Sequence, residues 1–124
     1  MIKRFAGASI WSEDLNNLLP FYRDTLGLEV VHESEGFVVL GEAETNWPTL
    51  GLGTHSEVHG RNSDPARHMV GFESDDLIAD WQRLQEAGVE FIEQPTEYGG
   101  DMSIATLKDP EGNLVQLWQS RDGI

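Results

Sequence analysis

The chain has 124 residues, 39% of them hydrophobic, no cysteine, and 22 acidic against 8 basic side chains, for a formal charge of −14. That length supports one well-buried core and excludes two domains of ordinary size. The missing cysteines exclude disulfides, thiolate metal sites and a cysteine nucleophile, and the acidic balance argues against nucleic acid and anionic lipid, whose binding depends on Lys and Arg.

In chain order, "RFAGASIW" (Arg4 to Trp11) reads as a strand with Ala8 and Ile10 on one face and Gly7, Ser9 and Trp11 on the other. Leu15, Leu18, Leu19, Tyr22 and Leu26 then recur at helical spacing, with Gly27 as the C-cap. Pro20 has no N–H, so the regular helix is expected to begin at Asn16 or Asn17, with Pro20 in its first turn. The strands "LEVVHE", "GFVVLGE" and "TLGLGT" follow. His55 to Arg67 is aperiodic and rich in turn formers, which predicts a connecting loop.

The pattern then restarts. "HMVGFES" reads as a strand, and a helix with Leu77, Trp81 and Leu84 on its buried stripe runs from Asp75-Asp76 to Gly88. The strands "VEFIEQ", "MSIATLKD" and "NLVQLWQ" complete the second half. Asp14-Leu15 recurs as Asp76-Leu77, and Gly27-Leu28-Glu29-Val30 as Gly88-Val89-Glu90-Phe91. Two copies with a period near 60 residues are too few and too long for a solenoid. The expectation is an α+β single domain of two βαβββ modules, about 4–54 and 66–120, joined by loop 55–65. Each module must cover its sheet, which predicts two curved mixed sheets around a cleft. No apolar run reaches a membrane span, and "MIKRFAGASIWSED" turns acidic before a signal-peptide core develops, so the expected location is the cytoplasm.

Three blocks, "SEDLNNLLPFYRDTLGLEV", "GFESDDLIADWQRLQEAGVEF" and "LKDPEGNLVQLWQ", resemble the signature segments of the vicinal oxygen chelate superfamily. That group includes glyoxalase I, fosfomycin-resistance transferases, extradiol dioxygenases and bleomycin-resistance proteins. The resemblance covers about Arg4 to Gln119 and implies the glyoxalase/bleomycin-resistance fold; the superfamily hosts many chemistries, so it does not fix a reaction. It also implies a cleft metal held by His, Glu or Gln from the first and last strands of the modules. The corresponding slots here are Gly7, Met69 and Gln116. Glycine offers no donor, a thioether is a poor ligand for hard or borderline cations, and one neutral amide does not strip such an ion of water. No resident cofactor is therefore expected, with a divalent metal as the residual alternative; Gln116 could ligate with help, and a bulge would turn His68 inward.

If Gly7, Ser9 and Trp11 face the cleft, parity puts Leu114, Gln116 and Trp118 on the cleft face of the last strand. The candidate ligand-binding residues are Ser9, Trp11, Trp47, Met69, Tyr98, Asp101, Gln116 and Trp118, with Tyr98 and Asp101 in a loop beside Gly99-Gly100. Plain core or dimer packing is the competing reading of these aromatics. His55 and His59 lack a completing carboxylate and read as solvated loop residues, His32 as an exposed strand residue, and no catalytic residue is assigned, although Glu97 or Asp101 could serve as a metal-free acid or base. The resemblance points to a metal-free binding protein of the bleomycin-resistance type, conferring antibiotic resistance by sequestering a small organic, cationic or aromatic compound, and acting as a homodimer. The alternative is a glyoxalase-like lyase or isomerase, or a dioxygenase, with unusual ligands or none.

Overall fold

The structure is a computed structural model that describes residues 1, 3–42, 44–45 and 48–120. It divides into two compact units, Met1–Gly60 and Arg61–Ile124.

The first unit holds a four-stranded mixed sheet in the order β1-β4-β3-β2, formed by β1 (Gly7–Ser12), β2 (Val30–Ser34), β3 (Phe37–Leu40) and β4 (Thr49–Thr54). β1 runs parallel to β4 from the pair Gly7 and Thr49 to the pair Ser12 and Thr54. The strand starts later than the sequence pattern suggests, at Gly7, where its parallel register with β4 opens opposite Thr49. One face gathers Leu50 and Leu52 of β4 with Val38 and Leu40 of β3, all at most 5% exposed. Burying each leucine is worth about 1.5–3 kcal/mol, which outweighs the roughly 0.5–1 kcal/mol cost of each strand glycine, so β4 tolerates Gly51 and Gly53 between its leucines.

The expected regular helix is replaced by two short pieces, a 3-10 turn over Leu15–Asn17 and a π-helical turn over Pro20–Thr25. Asp14 caps the first by accepting from the Asn16 N–H at 2.9 Å. Pro20 supplies no donor to continue the ladder and instead opens the second piece at its first position, where none is needed. The wider turn, with the Leu26 N–H donating to the Phe21 carbonyl at 2.9 Å, buries Phe21 beside Tyr22; Leu15, Leu18 and Leu19 are buried as expected, while Leu26 is only half-buried. Gly27, at φ +83°, ends it.

The second unit repeats the scheme with β5 (Val70–Glu73), β6 (Phe91–Tyr98), β7 (Met102–Lys108) and β8 (Leu114–Ser120) in the order β5-β8-β7-β6. Its helix α1 (Leu77–Glu86) is regular, N-capped by Asp76 accepting from the Ala79 N–H at 3.1 Å. α1 packs on β6, β7 and β8, and Leu77, Leu84, Ala105, Leu107, Val115 and Leu117 form the core. The two units share a device at the helix entrance. The Leu15 N–H donates to Thr54 Oγ1 at 2.9 Å in one, and the Leu77 N–H to Gln119 Oε1 at 2.8 Å in the other. Each satisfies an otherwise orphaned donor of the first turn from the last strand of its own unit.

Asp109, 3% exposed, organises the turn before β8. Its carboxylate accepts from the N–H groups of Glu111 at 2.8 Å and Asn113 at 2.9 Å and from Asn113 Nδ2 at 2.7 Å. The acidic first position of the turn thus does the work of a backbone partner.

Candidate functional site

Each unit presents a sheet face bearing exposed aromatic surface. In the first, parallel register sets Ser9 beside Gly51 and Trp11 beside Gly53, and β3 continues these rows with Val39 and Phe37. Ser9 and Trp11 are exposed, while Ala8 and Ile10 on the other face are half-buried, as alternation requires. The Trp11 and Phe37 rings stack with centroids 5.5 Å apart, and His55 meets Trp11 edge-on at 5.6 Å. The stack needs the glycines: a Cβ on Gly51 would stand 3.0 Å from Phe37 Cε1, and one on Gly53 would collide with Trp11 Cζ3. His55 belongs to this aromatic group rather than to open solvent, and its Nδ1 accepts from the Glu57 N–H at 3.1 Å. Phe37 is not marked by its own stretch of sequence; the paired glycines of "TLGLGT" are its signal.

The second face is built from rows crossing β6, β7, β8 and β5. Glu93, Thr106, Gln116 and Gly71 form one row; Thr96, Ile104, Trp118 and Glu73 form the next. Gln116 and Trp118 share this face as parity demands, and the Trp118 Nε1–H donates to Gln116 Oε1 at 3.4 Å. Trp118 is 42% exposed and its indole crosses Gly71, where a Cβ would lie 3.0 Å from Cε2. Met69, just ahead of β5, is 41% exposed. Tyr98 is the last residue of β6, paired with Met102, and not a loop residue. β6 is an edge strand, so Pro95 lacks a ladder bond it never needed, and the strand continues past it.

The Tyr98 hydroxyl donates to Glu93 Oε1 at 2.6 Å. That bond, followed by desolvation and the nearby negative charge, pushes the Tyr98 phenol above its ordinary pKa. Glu93 was not recognised from sequence, because the irregularities of β6 on either side of it disturb simple alternation. Asp101 lies in the β6–β7 turn and, with Glu97, Met102, Ser103, Gln119 and Ser120, lines a hollow of about 290 Å³. Trp47 lies outside the described residues.

The metal slots implied by the resemblance do not fit a divalent ion. Gly7 does more than lack a donor: a Cβ there would run into the Thr49 carbonyl oxygen and come within 2.9 Å of Thr49 Oγ1. Met69 offers a thioether, and Gln116 an amide whose oxygen accepts from Trp118. Among the described residues no group of three or more His, Asp or Glu side chains is placed to hold a metal ion. His68 is exposed.

Two four-stranded mixed sheets, each following a βαβββ order with an aromatic face, define an α+β protein built by duplication. The chain belongs to the glyoxalase/bleomycin resistance protein/dioxygenase superfamily, whose sequence model matches residues 2–117. A solved member of that superfamily from Sphaerobacter thermophilus superposes with a TM-score of 0.76 at 22% identity, covering 96% of this chain and 98% of that one. A family enzyme from Burkholderia phytofirmans gives 0.72 at 20% identity, covering 95% and 99%. A virulence protein from Salmonella typhimurium gives 0.71 at 20% identity, covering 97% and 98%. At these identities the likeness speaks for the fold. Among the described residues no helix is long and apolar enough to cross a membrane.

Proposed function

We propose that this chain is a small-molecule-binding member of the superfamily that sequesters its ligand without the usual divalent metal. The observation that carries the reading is the Gly7–Thr49 contact, which bars any side chain from the first-strand metal slot. Sequestration needs buried area and a few oriented polar groups, and no strong Lewis acid. Trp11 and Trp118, each 42% exposed, offer such area, while Ser9, Gln116 and Tyr98 are polar groups on the same faces. In this reading the ligand is a small organic compound with planar apolar surface, and the protein acts as a cytoplasmic homodimer.

Two measurements test it together. Protein purified without chelator is expected to carry far less than one divalent ion per chain. A panel of planar organic compounds is expected to quench Trp11 and Trp118 fluorescence without turnover. Near-stoichiometric metal that disappears on mutating Gln116 or His68, or conversion of the quenching compound to product, would replace this reading with a glyoxalase-, lyase- or dioxygenase-like activity.

A further inference from the structure

The row Glu93, Thr106, Gln116, Gly71 is a polar track with a carboxylate at one end and the Trp118 indole over the other. Glu93 is half-buried, and Tyr98 holds one of its oxygens at 2.6 Å. Among the described residues the other oxygen, Oε2, accepts from no protein donor. Lys108 shares the face two residues along from Thr106, but it pairs with Glu90 at 3.5 Å and leaves Glu93 unneutralised. From β6 to the indole, which lies between β8 and β5, is two to three strand spacings, roughly 10–14 Å. Thr106, which is buried, and Gln116, which is half-buried, lie along the way, so Gln116 is the polar group within reach between the two ends.

We infer that this face recognises an elongated organic cation, its ammonium group on Glu93 Oε2 and its aromatic ring against Trp118. The inference rests on the small-molecule reading above and names the ligand's chemical class. The carboxylate supplies a charge-assisted hydrogen bond to the nitrogen, already oriented by Tyr98. The indole supplies flat apolar area at the distance an amine on a short alkyl chain would reach. Glu73 lies beside Trp118 in register and adds to the negative potential along the face, as does the net charge of −14.

The test uses 4-phenylbutylamine and its neutral counterpart 4-phenylbutanol, with the Trp118 indole N–H followed by NMR in the full chain. The amine is expected to shift that signal saturably and to bind about tenfold more tightly than the alcohol. Glu93→Gln is expected to erase the difference by weakening the amine more than the alcohol; its thermal unfolding, measured alongside, should match the parent. In unsubstituted protein, raising NaCl to 0.5 M should weaken the amine and spare the alcohol. Equal affinities, a preference that survives Glu93→Gln, or an amine affinity indifferent to salt would each overturn the inference. So would Trp118 shifts that follow protein concentration rather than probe, which would make the face a contact between copies. Neutral compounds that quench the tryptophans with no preference for the amine would remove this inference and leave sequestration standing, whereas silence of every compound would remove both.

Discussion

Gly7 and Thr49 are register partners across the parallel β1–β4 pair, and the Thr49 carbonyl oxygen fills the space that a Cβ at position 7 would need. At φ +154° the Gly7 backbone is also one that L side chains rarely adopt.

The obstruction is backbone and cannot rotate away, so Gly7→Ala should destabilise the protein by roughly 2–4 kcal/mol, the sum of overpacking and backbone strain. Gly7→His should cost at least as much and gain no zinc affinity by calorimetry. A stable Gly7→His variant that binds zinc tightly would show that the slot is dormant rather than closed.

The polar turn at Asp109 gives a second test. Three donors converge on a carboxylate that is 3% exposed, and Asp109→Ala strands all of them. A loss of about 2–4 kcal/mol is expected, read as a lower urea midpoint with unchanged slope. Asp109→Asn keeps an acceptor oxygen and should lose about half as much. Equal losses in the two variants would mean that charge rather than hydrogen bonding fixes the turn.

How far the sequence announces these features depends on the physics behind each. β4 matches "TLGLGT" from end to end, and α1 begins at its expected Asp76 cap, because periodicity and capping are local. The segment around Pro20 departs from expectation because its hydrophobic spacing fits several turn widths, and only the missing N–H selects among them. Tyr98 falls in a strand because sheet order, which no local pattern records, places Pro95 on an edge. Trp11 and Trp118 are legible from parity alone, whereas Phe37 and Glu93 depend on neighbouring strands, through the paired glycines in one case and the irregular β6 ladder in the other.

Gly53 and Gly71 both lie under tryptophans yet should respond differently to a methyl group. Behind Gly53 the obstacles are two stacked rings, with Phe37 Cδ1 and Trp11 Cε3 both 2.8 Å from the new Cβ. Gly53→Ala must open that stack, at about 1–3 kcal/mol, and should shift Trp11 emission. Behind Gly71 the obstacle is one half-exposed indole at 3.0 Å, free to tilt toward solvent. Any strain there is offset by the roughly 0.5–1 kcal/mol that alanine recovers over glycine in a strand, so Gly71→Ala should leave stability nearly unchanged while altering Trp118 emission. A neutral Gly53→Ala would deny that the Trp11–Phe37 stack contributes to stability.

The Tyr98–Glu93 bond carries a pH signature whose sign follows from the donor. The phenol donates only while protonated, and ionising it would also set two negative charges side by side, so its pKa in the folded protein is raised. A raised pKa means that the bond's contribution is fully present below the unfolded tyrosine value and is lost as pH climbs through the folded one. Ultraviolet difference titration of the parent against Tyr98→Phe isolates this phenol from Tyr22 and should place its ionisation above the ordinary tyrosine range. In a Glu93→Gln background the same titration should move back only in part, because the amide still accepts the hydrogen bond, the largest cause of the shift, but no longer repels the phenolate. A midpoint unmoved by Glu93→Gln would mean that charge at Glu93 plays no part in the shift, and it would weaken the case for that carboxylate as the cation-binding end of the face.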